Sequence, residues 1–419
     1  MNILWLINIP LPEASILMNE QVTPFGGWLV NTSIILSQQN NVNLSIAFPK
    51  RKIKKITKLQ GERITFYAFN SIVKKNEIRN KLDVNFEKII KETSPNLVHI
   101  FGTEYLHTLA MVNICNLMNI KTVISIQGLV SICSKHYMAC LPNRIQKRFT
   151  FRDFIKHDNL IQQQKKFVIR GKNEIEAIQK VNDVIGRTTW DKACTLQINY
   201  HLNYHFCNEN LRGEFYKHEW LLDNCEKNSI FVSQGAYPLK GLHLMLEAMP
   251  LILQRFHGTK LYVSGADITK SNTLKDKIKM TSYAKYIRSL IQKLNLKDKV
   301  IFTGLLNEKQ MCEQYLKSNV FVCPSSIENS PNSLGEAMIL GVPCVASDVG
   351  GVSDMLIHKE EGFVYQSDAT YMLAYYVCEI FNKDELAIKF SKNGKSHALI
   401  THDKEKNYKK LLSIYEECT

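Results

Sequence analysis

The residues best suited to chemistry gather in one stretch, Cys323-Pro324-Ser325-Ser326-Ile327-Glu328-Asn329-Ser330-Pro331-Asn332-Ser333-Leu334-Gly335-Glu336-Ala337-Met338. The apolar run Val320 to Cys323 reads as a strand, and Ser330 followed by Pro331 reads as an N-cap and first-turn proline of a helix reaching Leu340. A helix start just past a strand end points its amides, here those of Asn332, Ser333 and Leu334, and its positive dipole end at an anion such as a phosphate. Glu328 stands before that start and Glu336 more than a turn inside, so two carboxylates bracket the anion position. A carboxylate accepts two hydrogen bonds from a vicinal diol, so one suits a ribose and the other a hexose on either side of a diphosphate. That is the outline of a nucleotide sugar. On spacing alone, a helix-surface charge at 336 and a loop charge at 328 are the commoner account.

A departing diphosphate gains negative charge, so a cation aimed at it stabilises the transition state more than the ground state. Lys240, in Phe231-Val232-Ser233-Gln234-Gly235-Ala236-Tyr237-Pro238-Leu239-Lys240-Gly241, is placed to supply one, although a Lys before a Gly in a polar loop is by itself a surface charge. The first half offers weaker signals. Gly26 and Gly27, in Pro24-Phe25-Gly26-Gly27-Trp28, suit either a close backbone approach to a phosphate or sugar or a plain turn. Gln127, after the apolar run Val123 to Ile126, can bind a sugar hydroxyl but cannot exchange a proton near neutral pH, and His136 lies in the segment that follows. Arg187, in Ile185-Gly186-Arg187-Thr188-Thr189-Trp190-Asp191, reads equally as a phosphate cation or as the partner of Asp191. No Asp-x-Asp pair sits at a strand end, so neither a metal nor any other cofactor is expected.

The run Pro-Ser-x-x-Glu-x7-Glu-Ala-Met-x-x-Gly-Val-Pro-x-Val-Ala-Ser-Asp-x-Gly-Gly, formed by Pro324 to Gly351, resembles the donor-site signature of retaining GT-B glycosyltransferases of family 4. The resemblance extends over most of residues 228–370 and only loosely over the first half. It implies that Glu336 binds the ribose hydroxyls and Glu328 the donor sugar. Lys240-Gly241 matches the family's phosphate loop, while Gly235 stands where the family has an Arg, and Gln127 stands where it often has a His. The Gly26-Gly27 loop is similar to the family's Gly-rich loop. The resemblance further implies reaction on one face of the sugar, with the leaving phosphate taking the acceptor proton and no enzymic nucleophile. The implied partners are a nucleotide-diphosphate sugar and a glycan acceptor, polyprenyl-diphosphate-linked, in capsule, O-antigen or exopolysaccharide synthesis. A sugar-nucleotide epimerase of the same fold is the alternative, against which the Glu pair and Lys240 argue.

Elements that would position these residues alternate regularly. Apolar runs at Ile3 to Ile9, Val42 to Phe48, Leu97 to Phe101, Thr122 to Ile126 and Val184 to Gly186 are separated by helix-like stretches such as Gly27 to Gln38 and Tyr105 to Met118. The rhythm lapses at 203–226 and restarts at Ile230-Phe231-Val232, with further runs at Lys260 to Ser264, Val300 to Thr303, Val320 to Cys323 and Pro343 to Ser347. Such alternation predicts α/β architecture with parallel sheets, here two doubly wound, Rossmann-like domains facing a central cleft. The expected division is 1–202 for an acceptor-side domain, 203–226 for a linker, 227–394 for a nucleotide-sugar domain and 395–419 for a C-terminal helix returning to the first domain.

Composition sets the remaining bounds. The 419 residues are 45% hydrophobic and 22% charged, which excludes disorder and fibrous repeats. The net charge of +14 is uneven along the chain: residues 1–225 hold 29 basic and 18 acidic side chains, and residues 226–419 hold 24 and 21. A basic first half implies an anionic partner: nucleic acid, a membrane surface or a phosphorylated substrate. The densest cluster is Lys50, Arg51, Lys52, Lys54, Lys55 and Lys58, and a second run holds Arg144, Lys147, Arg148, Arg152 and Lys156; either also reads as a solvated face. No aromatic residues interleave with the 50–58 cluster and no nucleic-acid motif is present, so nucleic acid is not expected. Eleven scattered cysteines without a Cys-x-x-Cys pair fit a reducing cytoplasm, and no apolar run is long enough to span a bilayer, so any membrane contact is peripheral, at the inner face and driven by anionic lipid.

Overall fold

A computed structural model describes residues 1–22, 26–51, 53–70 and 78–419, with the side chains of 78–81 and 275 outside the description; Pro24, Phe25 and Lys52 therefore lie outside the described residues. Eight strands form the first sheet: β1 (Asn2–Leu6), β2 (Asn43–Lys50), β3 (Thr57–Gln60), β4 (Thr65–Asn70), β5 (Leu97–Phe101), β6 (Lys121–Ser125), β7 (Asp183–Gly186) and β8 (Asn203–Phe206). Their order is β3-β4-β2-β1-β5-β6-β7-β8. All neighbours are parallel except the β3–β4 pair. The second sheet has β9 (Glu226–Val232), β10 (Lys260–Val263), β11 (Val300–Phe302), β12 (Ser318–Cys323), β13 (Cys344–Ser347) and β14 (Gly362–Tyr365) in the order β11-β10-β9-β12-β13-β14.

Burial explains why these segments are strands. Every residue of β5 and of β12 is buried, as parallel strands covered on both faces by crossover helices must be. In both sheets the chain order reverses once, between β1 and β5 in the first and between β9 and β12 in the second. Ligands of open parallel sheets collect at the carboxyl ends of strands beside such a reversal. Gly26 and Gly27 open the helix Gly27–Ser37, separated from β1 by the helix Pro12–Leu17, and the loops holding Lys240 and Glu328 follow β9 and β12.

The compact units divide differently from the linear expectation. The first contains residues 1–131, 169–212 and 402–419, and the second contains 132–168 and 213–401. Residues 203–206, expected in a linker, are strand β8, paired in register with β7. Residues 395–401 complete the helix Asp384–Thr401 of the second unit, and the helix Lys404–Cys418 belongs to the first. The anchor of that last helix is buried and polar: the Trp5 indole N–H donates to Tyr415 Oη at 2.9 Å, Tyr415 Oη lies 2.6 Å from His99 Nδ1, and His99 Nε2 lies 2.7 Å from Ser125 Oγ. Burial holds the His99 pKa down to about 3, so the ring is neutral.

Charge follows the units, not the halves of the chain. The first unit carries 24 basic and 17 acidic residues and the second 29 and 22, so each has a net charge of +7. The expected charge asymmetry between the domains is corrected: residues 132–168, with 8 basic and 2 acidic side chains, belong to the second unit, so both units are equally basic. In the 50–58 cluster, Lys50 is paired with Glu20, and Lys58 with Glu92 at 2.8 Å.

Candidate active site

Three loops at the carboxyl ends of adjacent strands build the site in the second unit. The first, after β9, carries the turn Pro238–Lys240 and ends at Gly241, whose φ of +67° is left-handed. A Cβ at Gly241 would lie 1.7 Å from the Pro324 carbonyl oxygen, so only glycine lets this turn seat against the loop leaving β12. The Ser326 amide donates to the Leu239 carbonyl at 2.8 Å, fixing the same two loops together. From the third loop, after β13, Gly350 has φ +57° and a Cβ there would lie 1.7 Å from the Glu328 carbonyl oxygen, which also accepts from the Gly351 amide at 3.2 Å. Glycines on two loops thus hold the backbone that carries Glu328.

This arrangement brings the two expected catalytic side chains into contact. Lys240 Nζ donates to Glu328 Oε1 at 2.5 Å, and Ser325 Oγ donates to the same oxygen at 2.7 Å. The pair is largely withdrawn from solvent, with the Lys240 and Glu328 side chains 23% and 12% exposed. Burial opposes the Lys240 charge, but the Glu328 carboxylate overrides it and raises the ammonium above the usual lysine range. Burial, reinforced by Glu328, pushes the Cys323 thiol up to about 11, so it stays protonated beside the pair and is no nucleophile.

The helix Asn332–Leu340 begins one residue later than predicted. Pro331 takes the cap position and has no polar side-chain atom to cap with, while Ser330 Oγ donates to Met355 Sδ at 3.4 Å. The Leu334 amide donates to the Pro331 carbonyl at 2.9 Å and its side chain is fully buried, so Leu334 is corrected from the anion-binding amides; Asn332 and Ser333 remain at the helix start. Glu336 is buried in the second turn, which removes the surface-charge reading for it. Ser326 Oγ and Tyr365 Oη, after β12 and at the end of β14, are buried hydroxyls with no protein hydrogen bond, the kind of group that a bound oxygen-rich ligand satisfies. Neither hydroxyl was singled out from sequence.

Gly235 explains itself sterically. A Cβ there would lie 2.6 Å from Leu242 Cδ2 and 3.1 Å from Val263 Cγ1, so the position that carries an Arg in the resembled family is here filled by apolar packing. Arg187 and Gln127 are placed in the first unit. Arg187 Nη1 pairs with Glu209 Oε2 at 2.7 Å while its backbone amide donates to Asp191 at 3.0 Å, and Gln127 Nε2 donates to Glu209 Oε1 at 2.5 Å. The expected side-chain partner Asp191 is therefore replaced by Glu209, which was hidden in a polar stretch read as linker. Trp28, Phe101 and Tyr408 line a cavity of the first unit together with Arg187 and Glu209. Gly26 has φ +76° and caps the helix Gly27–Ser37, and a Cβ on Gly27 would lie 2.8 Å from Arg212 Cγ, so both glycines have a local reason to be there. His136 closes the helix Val130–His136.

The family model described as glycosyl transferases group 1 matches residues 214–397. Over 137 residues the chain is 33% identical to the uncharacterized glycosyltransferase MJ1607 of Methanocaldococcus jannaschii, covering 33% of this chain and 31% of that protein. It is 25% identical over 179 residues to the poly(ribitol-phosphate) alpha-N-acetylglucosaminyltransferase of Staphylococcus aureus, covering 42% of this chain and 33% of that one. The chain thus spans about a third of the length of these curated relatives. Its fold is similar to that of Anabaena Alr3699/HepE, solved in complex with UDP and glucose, with a TM-score of 0.66, 12% identity and 99% of each chain covered.

Proposed function

We propose, from the glycosyl transferases group 1 domain that residues 214–397 of this GT-B chain form, that the protein moves a sugar from a nucleotide-diphosphate donor to a hydroxyl of a glycan acceptor. The observation that carries this reading is the Lys240–Glu328 contact beside the start of a helix with Glu336 buried in its second turn. An ammonium has three donor protons, so Lys240 can keep Glu328 and also bind a phosphate oxygen as charge builds on the leaving diphosphate. Asn332 and Ser333 present the helix start to that phosphate. Glu336 takes the ribose hydroxyls and Glu328, oriented by Ser325 and the glycine contacts, meets the donor sugar.

In this reading the reaction proceeds with retention, as in the family that the motif resembles, with the leaving diphosphate taking the acceptor proton and Lys240 stabilising its charge. No metal or other cofactor is required, because Lys240 and helix amides supply the positive field. The acceptor is a surface polysaccharide or its polyprenyl-diphosphate-linked precursor, at the inner face of a plasma membrane rich in anionic lipid. Support comes from the UDP and glucose held by the Anabaena neighbour and from the polymer-directed name of the staphylococcal relative. Among the described residues no helix is long and apolar enough to cross a membrane.

The test is a screen of UDP, GDP, ADP and TDP sugars by thermal shift and by release of nucleotide, with linkage analysis of any product. At least one donor should bind and be hydrolysed slowly. Glu336→Ala should weaken nucleotide binding, whereas Glu328→Ala should chiefly lower turnover. Failure of every donor to bind, or wild-type kinetics in both variants, would remove the assignment.

A further inference from the structure

The second unit's charge is concentrated in two segments that fold together. Residues 132–168 carry 8 basic and 2 acidic side chains, and residues 274–293 carry 6 and 1, a combined +11 in a unit whose total is +7. The remainder of the unit is therefore net negative. The helix Phe151–Lys156 packs on the helix Leu274–Lys279, and the helix Asn143–Gln146 packs on Ser282–Lys293. Ser282 Oγ donates to Asp153 Oδ2 at 2.5 Å, tying the helix Phe151–Lys156 to the start of the helix Ser282–Lys293 as well. Arg148, Lys277, Lys285 and Arg288 line one depression between these elements.

Acids of this face are already engaged. Asp153 is fully buried in a capping box with Thr150, Asp158 takes Arg152 at 3.3 Å and Lys166 at 2.8 Å, and Asp276 accepts from the Thr273 amide at 3.0 Å. Among the described residues no carboxylate lies within ion-pair distance of Arg148, Lys156, Lys277, Lys279, Lys285 or Arg288. Interleaved with these cations are large apolar side chains turned to solvent: Phe149, Phe151 and Phe154 are 51%, 61% and 66% exposed, and Leu274 and Ile278 are 77% and 50% exposed. A soluble surface is stabilised by leaving such groups single and scattered. Here Phe151, Phe154, Leu274 and Ile278 share two short, adjacent helices with Lys156, Lys277 and Lys279, and Phe149 lies just before the first of them.

We infer that this face of the second unit, built on residues 143–156 and 274–288, is the surface by which the protein lies on an anionic lipid bilayer. An anionic bilayer uses both chemistries at once, the cations against headgroups and the phenyl rings in the acyl boundary, whereas a dissolved polyanion leaves most of the rings in water. The inference moves the membrane contact from the 50–58 cluster, whose Lys50 and Lys58 are paired, to a face where Arg152 is paired but Arg148, Lys156, Lys277, Lys279, Lys285 and Arg288 have no ion-pair partner among the described residues and stand beside exposed apolar side chains. It deepens the proposed membrane location and rests on that reading only for the choice of lipid.

Sedimentation of the full chain with phosphatidylcholine vesicles, with and without phosphatidylglycerol, tests it. The wild type should bind the anionic vesicles and release from them at high salt. Changing Lys277, Lys279 and Lys285 to Gln should lower the partition coefficient on the order of a hundredfold. Phe151→Ser with Phe154→Ser should lower it about tenfold or more while leaving the salt dependence in place. Changing Lys54 and Lys55 to Gln should do neither. A Phe154→Trp variant should gain a blue-shifted emission component on anionic vesicles alone. Absence of binding to anionic vesicles, or binding that the 151/154 and 277/279/285 changes leave at the wild-type level, overturns the inference. So does binding to a single-stranded oligonucleotide or a poly(ribitol phosphate) that is tighter than to vesicles and indifferent to the phenylalanines. Nucleotide-sugar binding, measured on the same variants without vesicles, should be unchanged, so a failed donor assignment and a failed membrane face give different results.

Discussion

Replacing Lys240 by Met and Glu328 by Gln, singly and together, probes the contact on which the proposed chemistry depends. At 2.5 Å the attraction between the two charges is about 7 kcal/mol at an effective dielectric of about 20. Desolvation offsets much of this, and both side chains keep some solvent contact, so the net coupling is about 1–3 kcal/mol. Lys240→Met removes the cation facing the leaving diphosphate and should cost on the order of a hundredfold or more in kcat. It also leaves Glu328 as an uncompensated anion next to where the donor phosphates would sit. Adding Glu328→Gln removes that repulsion, so the double variant should be roughly 5- to 100-fold better than the product of the single effects. The assay is steady-state nucleotide release from the active donor found in the screen, with calorimetry to show that each variant is folded. A Lys240→Met enzyme within about threefold of wild type, or strictly multiplicative effects, would refute the placing of Lys240 on the departing diphosphate.

Two structural predictions accompany it. Gly241→Ala, forced into a left-handed turn with its methyl 1.7 Å from the Pro324 oxygen, should destabilise the second unit by about 2 kcal/mol or more and weaken donor binding, read by calorimetry and titration; an unchanged transition and affinity would show that the turn relaxes freely. His99 and His107 are buried and neutral, with pKa values lowered by burial to about 3, so stability is fully present above the unfolded value near 6.5 and is lost as pH falls from there toward 3. At pH 5 the loss is about 2 kcal/mol for each, visible in urea unfolding; a flat stability between pH 7 and pH 5, or a slope that His99→Gln leaves untouched, would contradict the neutral Tyr415–His99–Ser125 chain.

Local sequence was sufficient wherever one short stretch contains both the structure and its purpose. The β12 strand, the loop to Glu328 and the helix holding Glu336 are contiguous, so their spacing alone indicated a strand end facing a helix start, and the alternating apolar runs indicated two parallel sheets. Lys240 was found by its loop, 88 residues before its partner, but nothing in the sequence says that the two side chains touch. That contact exists because β9 and β12 are neighbours in the sheet and because Gly241 and Gly350 let three loops close to van der Waals distance, a condition on φ and on space that no residue pattern expresses. Glu209 was unreadable for the same reason: it acquires meaning only once β6, β7 and β8 lie side by side, so that Gln127 after β6 and Arg187 after β7 reach Glu209 after β8. Charge shows the difference most plainly. Summed along the chain it made the first half basic, whereas the fold assigns residues 132–168 to the second unit and leaves each unit with +7. Composition is additive along a chain, but electrostatic fields and apolar patches add in space, so the sequence determined the elements and the contiguous stretch that carries Glu328 and Glu336, and only the tertiary structure decided which charges and which rings share a face.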